Sequence, residues 1–156
     1  MALNIRAASA DDAEAVGGLA EQFADYLRSL GDTTDFKLNA QTYLRDGFGT
    51  NPAFSGLVAE QDGIIVGYLL YHFGYDTDNA ARILHVVDLY VNENARREGV
   101  GKALMSAAAR LSRDAGAMDL FWSVYVHNKM AASFYESLGA RYARDLLFMT
   151  IRSDAL

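Results

Sequence analysis

The chain contains no cysteine. Disulfides, thiolate metal sites and a cysteine nucleophile are therefore excluded. Histidine is scarce too: His72, His85 and His127 are the only three, and no His-x-x-x-His pair occurs. Such a set gives no reason to expect a zinc site, and no metal is expected. Basic residues are outnumbered, 14 Lys and Arg against 20 Asp and Glu, for a net charge of −6. That balance argues against a nucleic-acid partner. A mildly acidic surface suits a cationic small substrate, and it equally suits solubility alone. No apolar run approaches the ~20 residues of a membrane span, so no membrane partner is expected. No basic region followed by an apolar stretch opens the sequence; a secretory signal is not read there, and a cytoplasmic location is expected.

What is present is an ordinary globular mixture, 51% hydrophobic and 22% charged over 156 residues. This suits one domain, residues 1–156, with a core of its own. Leu3 to Ala8 reads as a strand. Ser9 then stands as a helix N-cap with Asp12 three residues on, and Ala13, Val16, Leu19, Ala20 and Phe23 follow at helical spacing as far as about Leu30. Asn39 caps a short helix through Arg45. Phe54 to Glu60 and Ile64 to Tyr75 are strands joined by Gln61-Asp62-Gly63, a strong hairpin signal. A third strand, Arg82 to Val91, completes an antiparallel meander. Gly101 to Asp114 is helical, Leu120 to Val126 a strand rich in β-branched and aromatic residues, Met130 to Leu138 a helix stopped by Gly139, and Leu146 to Ile151 a last strand. Strand, helix, strand across Ile83 to Val126 is a βαβ unit, so its two strands should run parallel. The fold class is α/β, a mixed sheet flanked by helices.

Arg96-Arg97-Glu98-Gly99-Val100-Gly101-Lys102 lies between a strand and a helix. Glycines allow close backbone approach, and a helix start offers free N–H groups and the positive end of a dipole, a combination that binds phosphates. Three cationic side chains surround it. A P-loop would require Gly at 96 and Ser or Thr at 103, where Arg96 and Ala103 stand. A dinucleotide fingerprint would require Gly or Ala at 104, where Leu104 stands. An acyl-CoA loop, Arg/Gln-x-x-Gly-x-Gly/Ala, matches Arg96, Gly99 and Gly101. From the loop alone, a basic glycine turn without function matches as well.

The surrounding string, Val87-Asp88-Leu89-Tyr90-Val91 through Leu104, with Asn128 and Ala131-Ala132-Ser133-Phe134-Tyr135-Glu136-Ser137-Leu138-Gly139-Ala140 beyond it and Ile5-Arg6-Ala7-Ala8 at the start, resembles the GNAT acetyltransferase superfamily over nearly the whole chain. Asp46-Gly47-Phe48-Gly49, Leu57-Val58-Ala59-Glu60 and Tyr71-His72-Phe73-Gly74-Tyr75-Asp76 look like its diamine (spermidine/spermine) acetyltransferase branch, which is typically homodimeric. The resemblance implies the GNAT fold: a mixed, mostly antiparallel sheet with two splayed parallel strands. It implies acetyl-CoA as co-substrate, with pantetheine paired to the main chain of Leu89, Tyr90 and Val91. Its phosphates would meet Arg96, Arg97, Glu98, Gly99, Val100, Gly101 and Lys102, and Asn128, Lys129 and Ser133 would contact the arm.

Tyr135 matches the family's general acid, which protonates the departing thiolate after direct attack by the amine. Read alone, Phe134-Tyr135 is a pair of core aromatics, and Asn128 is equally an N-cap. Polyamine members carry acids where this chain has Val87 and Leu27. Candidate acceptor contacts are then Tyr26, Asp76, His85, Asp88, Trp122 and Ser123, with His85 either a base, a gate or a structural histidine. The expected activity is N-acetylation of a small primary amine such as a diamine, polyamine or lysine-like amino acid. The alternatives are a peptide or protein N-acetyltransferase and a catalytically idle acyl-CoA-binding regulatory domain.

Overall fold

The computed structural model describes residues 2–156. Its elements are β1 (Leu3–Ala7), α1 (Ala13–Ser29), α2 (Ala40–Gly47), β2 (Ser55–Gln61), β3 (Ile64–Asp76), β4 (Ala81–Val91), α3 (Val100–Asp114), β5 (Leu120–Phe121) and α4 (Lys129–Ser137). One sheet runs in the order β1-β2-β3-β4-β5. The first four strands pair antiparallel, and β5 joins β4 in parallel through Leu84–Leu120 and His85–Phe121.

Local chemistry accounts for most boundaries. The β2–β3 turn places Asp62 at φ 51° and Gly63 at φ 79°, the two left-handed residues that a tight hairpin needs to match strand twist. The Ser9 amide donates to Asp12 Oδ2 at 2.7 Å, and Arg6 grips the same carboxylate with two bonds of 2.9 Å. The Asn39 side chain accepts from the Thr42 amide at 2.9 Å and starts α2.

The sheet is covered on both faces. Leu57, Leu69, Leu84 and Val86 pack under α3 through Val100, Leu104 and Ala108. Val58, Tyr68, Leu70 and Tyr90 pack under α1 and α2 through Val16, Leu19 and Tyr43. A bulge breaks the β3–β4 ladder: Leu70 faces Asp88 while Tyr71 faces Val86, which leaves Val87 without a partner. The extra residue shifts the alternation of side chains. Asp88 is thereby turned toward Tyr68 and the α1 face instead of following Leu84 and Val86 toward α3.

Two expectations are corrected. The strand expected over Leu120 to Val126 is paired only at Leu120–Phe121, because the chain diverges from β4 immediately afterwards. The strand expected over Leu146 to Ile151 does not form; Leu147 is 93% and Met149 94% exposed. β propensity becomes a strand only when a neighbouring edge takes its backbone groups, and among the described residues no strand pairs with that segment.

Candidate active site

The loop after β4 is built on a fold-back. Arg96 donates from Nε to the Val91 carbonyl at 3.1 Å, and its guanidinium lies 5.2 Å from the Tyr26 ring centroid and 5.4 Å from that of Tyr90. This bond fixes where the loop leaves the sheet. Glu98 is likewise engaged, accepting from Gln61 Nε2 at 3.2 Å. Arg97 and Lys102 are exposed and carry no ion pair among the described residues. Arg97 sits in the left-handed region at φ 65°, a conformation that costs a side-chain-bearing residue roughly 1 kcal/mol or more.

The two glycines do different work. Gly99 caps α3 in the left-handed region at φ 82° and has open space where a Cβ would point. The first bond of α3 runs from the Ala103 amide to the Gly99 carbonyl at 2.9 Å. The amides of Val100, Gly101 and Lys102 are left without a protein acceptor among the described residues, as the first turn of a helix dictates. A Cβ on Gly101 would instead lie 3.0 Å from the Phe134 ring, so this glycine lets α4 approach α3.

Behind the loop, β4 keeps β3 as its sheet neighbour along its whole length but meets β5 only at Leu84 and His85. The β5-facing main chain from Val86 to Val91, the segment of Leu89, Tyr90 and Val91, therefore has no strand partner beyond His85, and of its groups the Val91 carbonyl is taken by Arg96. Trp122 and Tyr135 have ring centroids 4.8 Å apart, and both pack against the α3-side core. The Tyr135 hydroxyl has no hydrogen-bond partner among the described residues. Burial first, and then the nearby Asp88 charge, push its pKa up to about 12. Asp88 accepts from the Tyr68 hydroxyl at 3.0 Å. Burial pushes its carboxyl up to about 7 against the opposing pull of that bond.

The remaining candidates divide. Asn128 is buried and caps α4, its Oδ1 accepting from the Ala131 amide at 3.2 Å and from the Tyr26 hydroxyl at 2.7 Å. The capping role is thus realised, and Tyr26 is a clasp between α1, α4 and Arg96, its hydroxyl already committed. Asp76 closes the β3–β4 turn, accepting from the Asp78 amide at 2.9 Å and from Asn79 Nδ2 at 2.6 Å, so it shapes the hairpin tip. Lys129 and Ser133 are exposed on α4, and Ser123 is exposed beyond β5.

Two contacts were missed from sequence. His85 Nδ1 lies 2.9 Å from His72 Nε2. Propagating the register back from the β3–β4 turn would have paired them. The Tyr68–Asp88 bond lies behind the Val87 bulge, for which the sequence has no signal. Among the described residues no group of three or more His, Asp or Glu could hold a metal ion, and no helix is long and apolar enough to cross a membrane.

A helix start with free amides behind a left-handed glycine, a strand paired on one side only and an unpartnered phenol together suit a phosphate-bearing thioester with an extended, amide-rich arm. Residues 19–140 match the model of the acetyltransferase (GNAT) family. The chain belongs to this family, has its fold and is an N-acetyltransferase. Thialysine N-epsilon-acetyltransferase of Sus scrofa is 33% identical over an alignment of 145 residues that covers 88% of this chain and 83% of that one. Spermidine/spermine N(1)-acetyltransferase-like protein 1 of Homo sapiens is 29% identical over 111 residues, 67% of this chain and 16% of that protein. Among solved structures, an integron cassette protein from the mobile metagenome of V. cholerae superimposes with a TM-score of 0.81 at 22% identity, covering 99% of this chain and 94% of that one.

Proposed function

We propose that the chain moves an acetyl group from acetyl-CoA to a small primary amine, a lysine-like amino acid, diamine or polyamine, by direct attack of the amine on the thioester. The observation that carries this reading is the Tyr135 hydroxyl: unpartnered, kept protonated by burial, and placed beside Trp122 within reach of the charge of Asp88 on β4. Acetyl-CoA supplies the activated acyl group. The amides of Val100, Gly101 and Lys102, with Arg97 and Lys102, are suited to hold its phosphates. The main chain of Leu89 to Val91 is suited to pair with its arm, and a backbone N–H of that strand to polarise the thioester carbonyl, a contact typically worth about 3 kcal/mol. As the new N–C bond forms and the C–S bond breaks, Tyr135 gives its proton to the leaving sulfur.

The absence of acids at Val87 and Leu27 and the likeness to a thialysine enzyme together favour a lysine-like acceptor over a polyamine. Thiol release with acetyl-CoA and a panel of thialysine, lysine, ornithine, spermidine and a peptide tests this. Turnover of the lysine-like amines is expected. Turnover of the peptide alone would point to a protein acetyltransferase, and saturable CoA binding with no turnover to an idle binding domain. The reading includes a homodimer, supported by the apolar side chains of residues 146–151, which a second copy would cover. Light scattering at micromolar concentration should give twice the 17.1 kDa chain mass; a stable monomer rejects it.

A further inference from the structure

We propose that His85 accepts the proton shed by the attacking amine and that His72 is the positioning residue that fixes its tautomer and passes the proton to solvent. The proposal rests on the acetyltransferase reading of this site.

The location comes from the sheet. His85 and Phe121 are the last paired residues of β4 and β5, so His85 stands at the bottom of the wedge where the two strands part. The phosphate loop lies at the opposite end of the same strand, beyond Val91. An arm running from that loop along β4 brings its reacting end to the neighbourhood of the Val87 bulge, two residues from His85. Phe121 lies flat against the imidazole, with centroids 4.5 Å apart and 14° between planes. His72 meets it nearly edge-on, at 78°. His72 is itself exposed and lines a surface depression with Ser55 and Phe73.

The chemistry follows from the 2.9 Å contact between His85 Nδ1 and His72 Nε2. One N–H occupies that contact, so two imidazolium ions cannot share it, and the pair carries at most one positive charge. With the proton on His85 Nδ1, its Nε2 is a bare acceptor. The amine's ammonium proton goes to that nitrogen, the Nδ1 proton crosses to His72 Nε2, and His72 releases its Nδ1 proton to water. The net change is one proton moved from amine to solvent, with both rings again neutral. Burial first, and then His72, lower the pKa of His85, which keeps it ready to accept at neutral pH. The groups facing it are few. β3 presents His72, β5 presents Phe121, and on its own strand Val87 is uncharged while Asp88 is bonded to Tyr68.

The test combines kinetics with an activity-independent readout. Nitrogen-15 NMR of the imidazoles in the full chain should show His85 neutral at pH 7 with its proton on Nδ1. His72→Phe should shift it toward the Nε2–H form, and His72→Gln, which keeps an acceptor at the same reach, should restore Nδ1–H. With acetyl-CoA and thialysine, His85→Gln should lower kcat by ~10²-fold, the usual scale of a lost general base. His72→Phe should lower it roughly tenfold, the scale of losing an orienting partner, and His72→Gln should recover most of that. An Nε2–H tautomer in the wild type overturns the proposal, as does a His85→Gln pH–rate profile superposing on the wild type. Failure of thialysine turnover in the wild type would strike the functional reading instead, and the tautomer experiment would still decide the placement of the pair.

Discussion

Replacing Asp88 by asparagine tests how the Val87 bulge shapes the site. Burial pushes the carboxyl up from the ordinary carboxylate range to about 7. Between about pH 4 and pH 7 the folded chain therefore binds a proton at Asp88 that the unfolded chain does not. Stability contributed by this group is complete below the unfolded value and falls as pH rises through the folded one. At 1.36 kcal/mol per unit, the total loss is roughly 4 kcal/mol. Asparagine has the same shape, accepts from the Tyr68 hydroxyl and does not titrate. Chemical denaturation should show Asp88→Asn gaining on the wild type between pH 4.5 and pH 8 by a few kcal/mol. Trp122, the sole tryptophan, can report unfolding. Taking the difference between the two proteins cancels the histidines and other carboxylates common to both. Stability curves that stay parallel within about 0.5 kcal/mol would show that the carboxyl is solvated, refuting the placement of Asp88 on the α1 face.

Three further outcomes follow from the geometry. Gly99→Ala forces a side chain into the left-handed cap at φ 82°, and should cost about 1 kcal/mol of stability while raising the KM for acetyl-CoA. Gly101→Ala should destabilise by a comparable amount through the 3.0 Å contact with Phe134, and Phe134→Leu should relieve it; a Gly101→Ala protein of unchanged stability would refute the packing role. Tyr26→Phe removes the hydroxyl bonded to Asn128 and should cost about 1 kcal/mol in denaturation, whereas Asn128→Ala, losing the cap as well, should cost clearly more.

Much of the fold was legible because short-range chemistry set it. Asp62-Gly63 is a turn only left-handed residues satisfy, Asn39 closes on Thr42 within its own helix start, and Gly116 and Gly139 end their helices at φ 77° and 94°. The helix start after β4 was legible for the same reason: Gly99 and the helix behind it are neighbours in sequence. What escaped depended on distant partners. Arg96 reads only as a cation; its bond to Val91 and its place over Tyr26 and Tyr90 exist only in the folded chain. Asn128 serves two donors, one of them 102 residues away. Val87 looks like any core valine, and only the β3–β4 register reveals it as an inserted residue that re-aims Asp88. Leu146 to Ile151 carries full strand propensity, yet a strand also needs an edge to pair with.

The central claim is that the Tyr135 hydroxyl protonates the leaving thiolate. It is tested most directly by following thiol release from acetyl-CoA with saturating thialysine in a single turnover, comparing the wild type with Tyr135→Phe. The variant keeps the ring against Trp122, so folding and CoA affinity should be unchanged while the rate drops by ~10²-fold or more. Equal rates in two equally folded, equally CoA-saturated proteins would contradict the account.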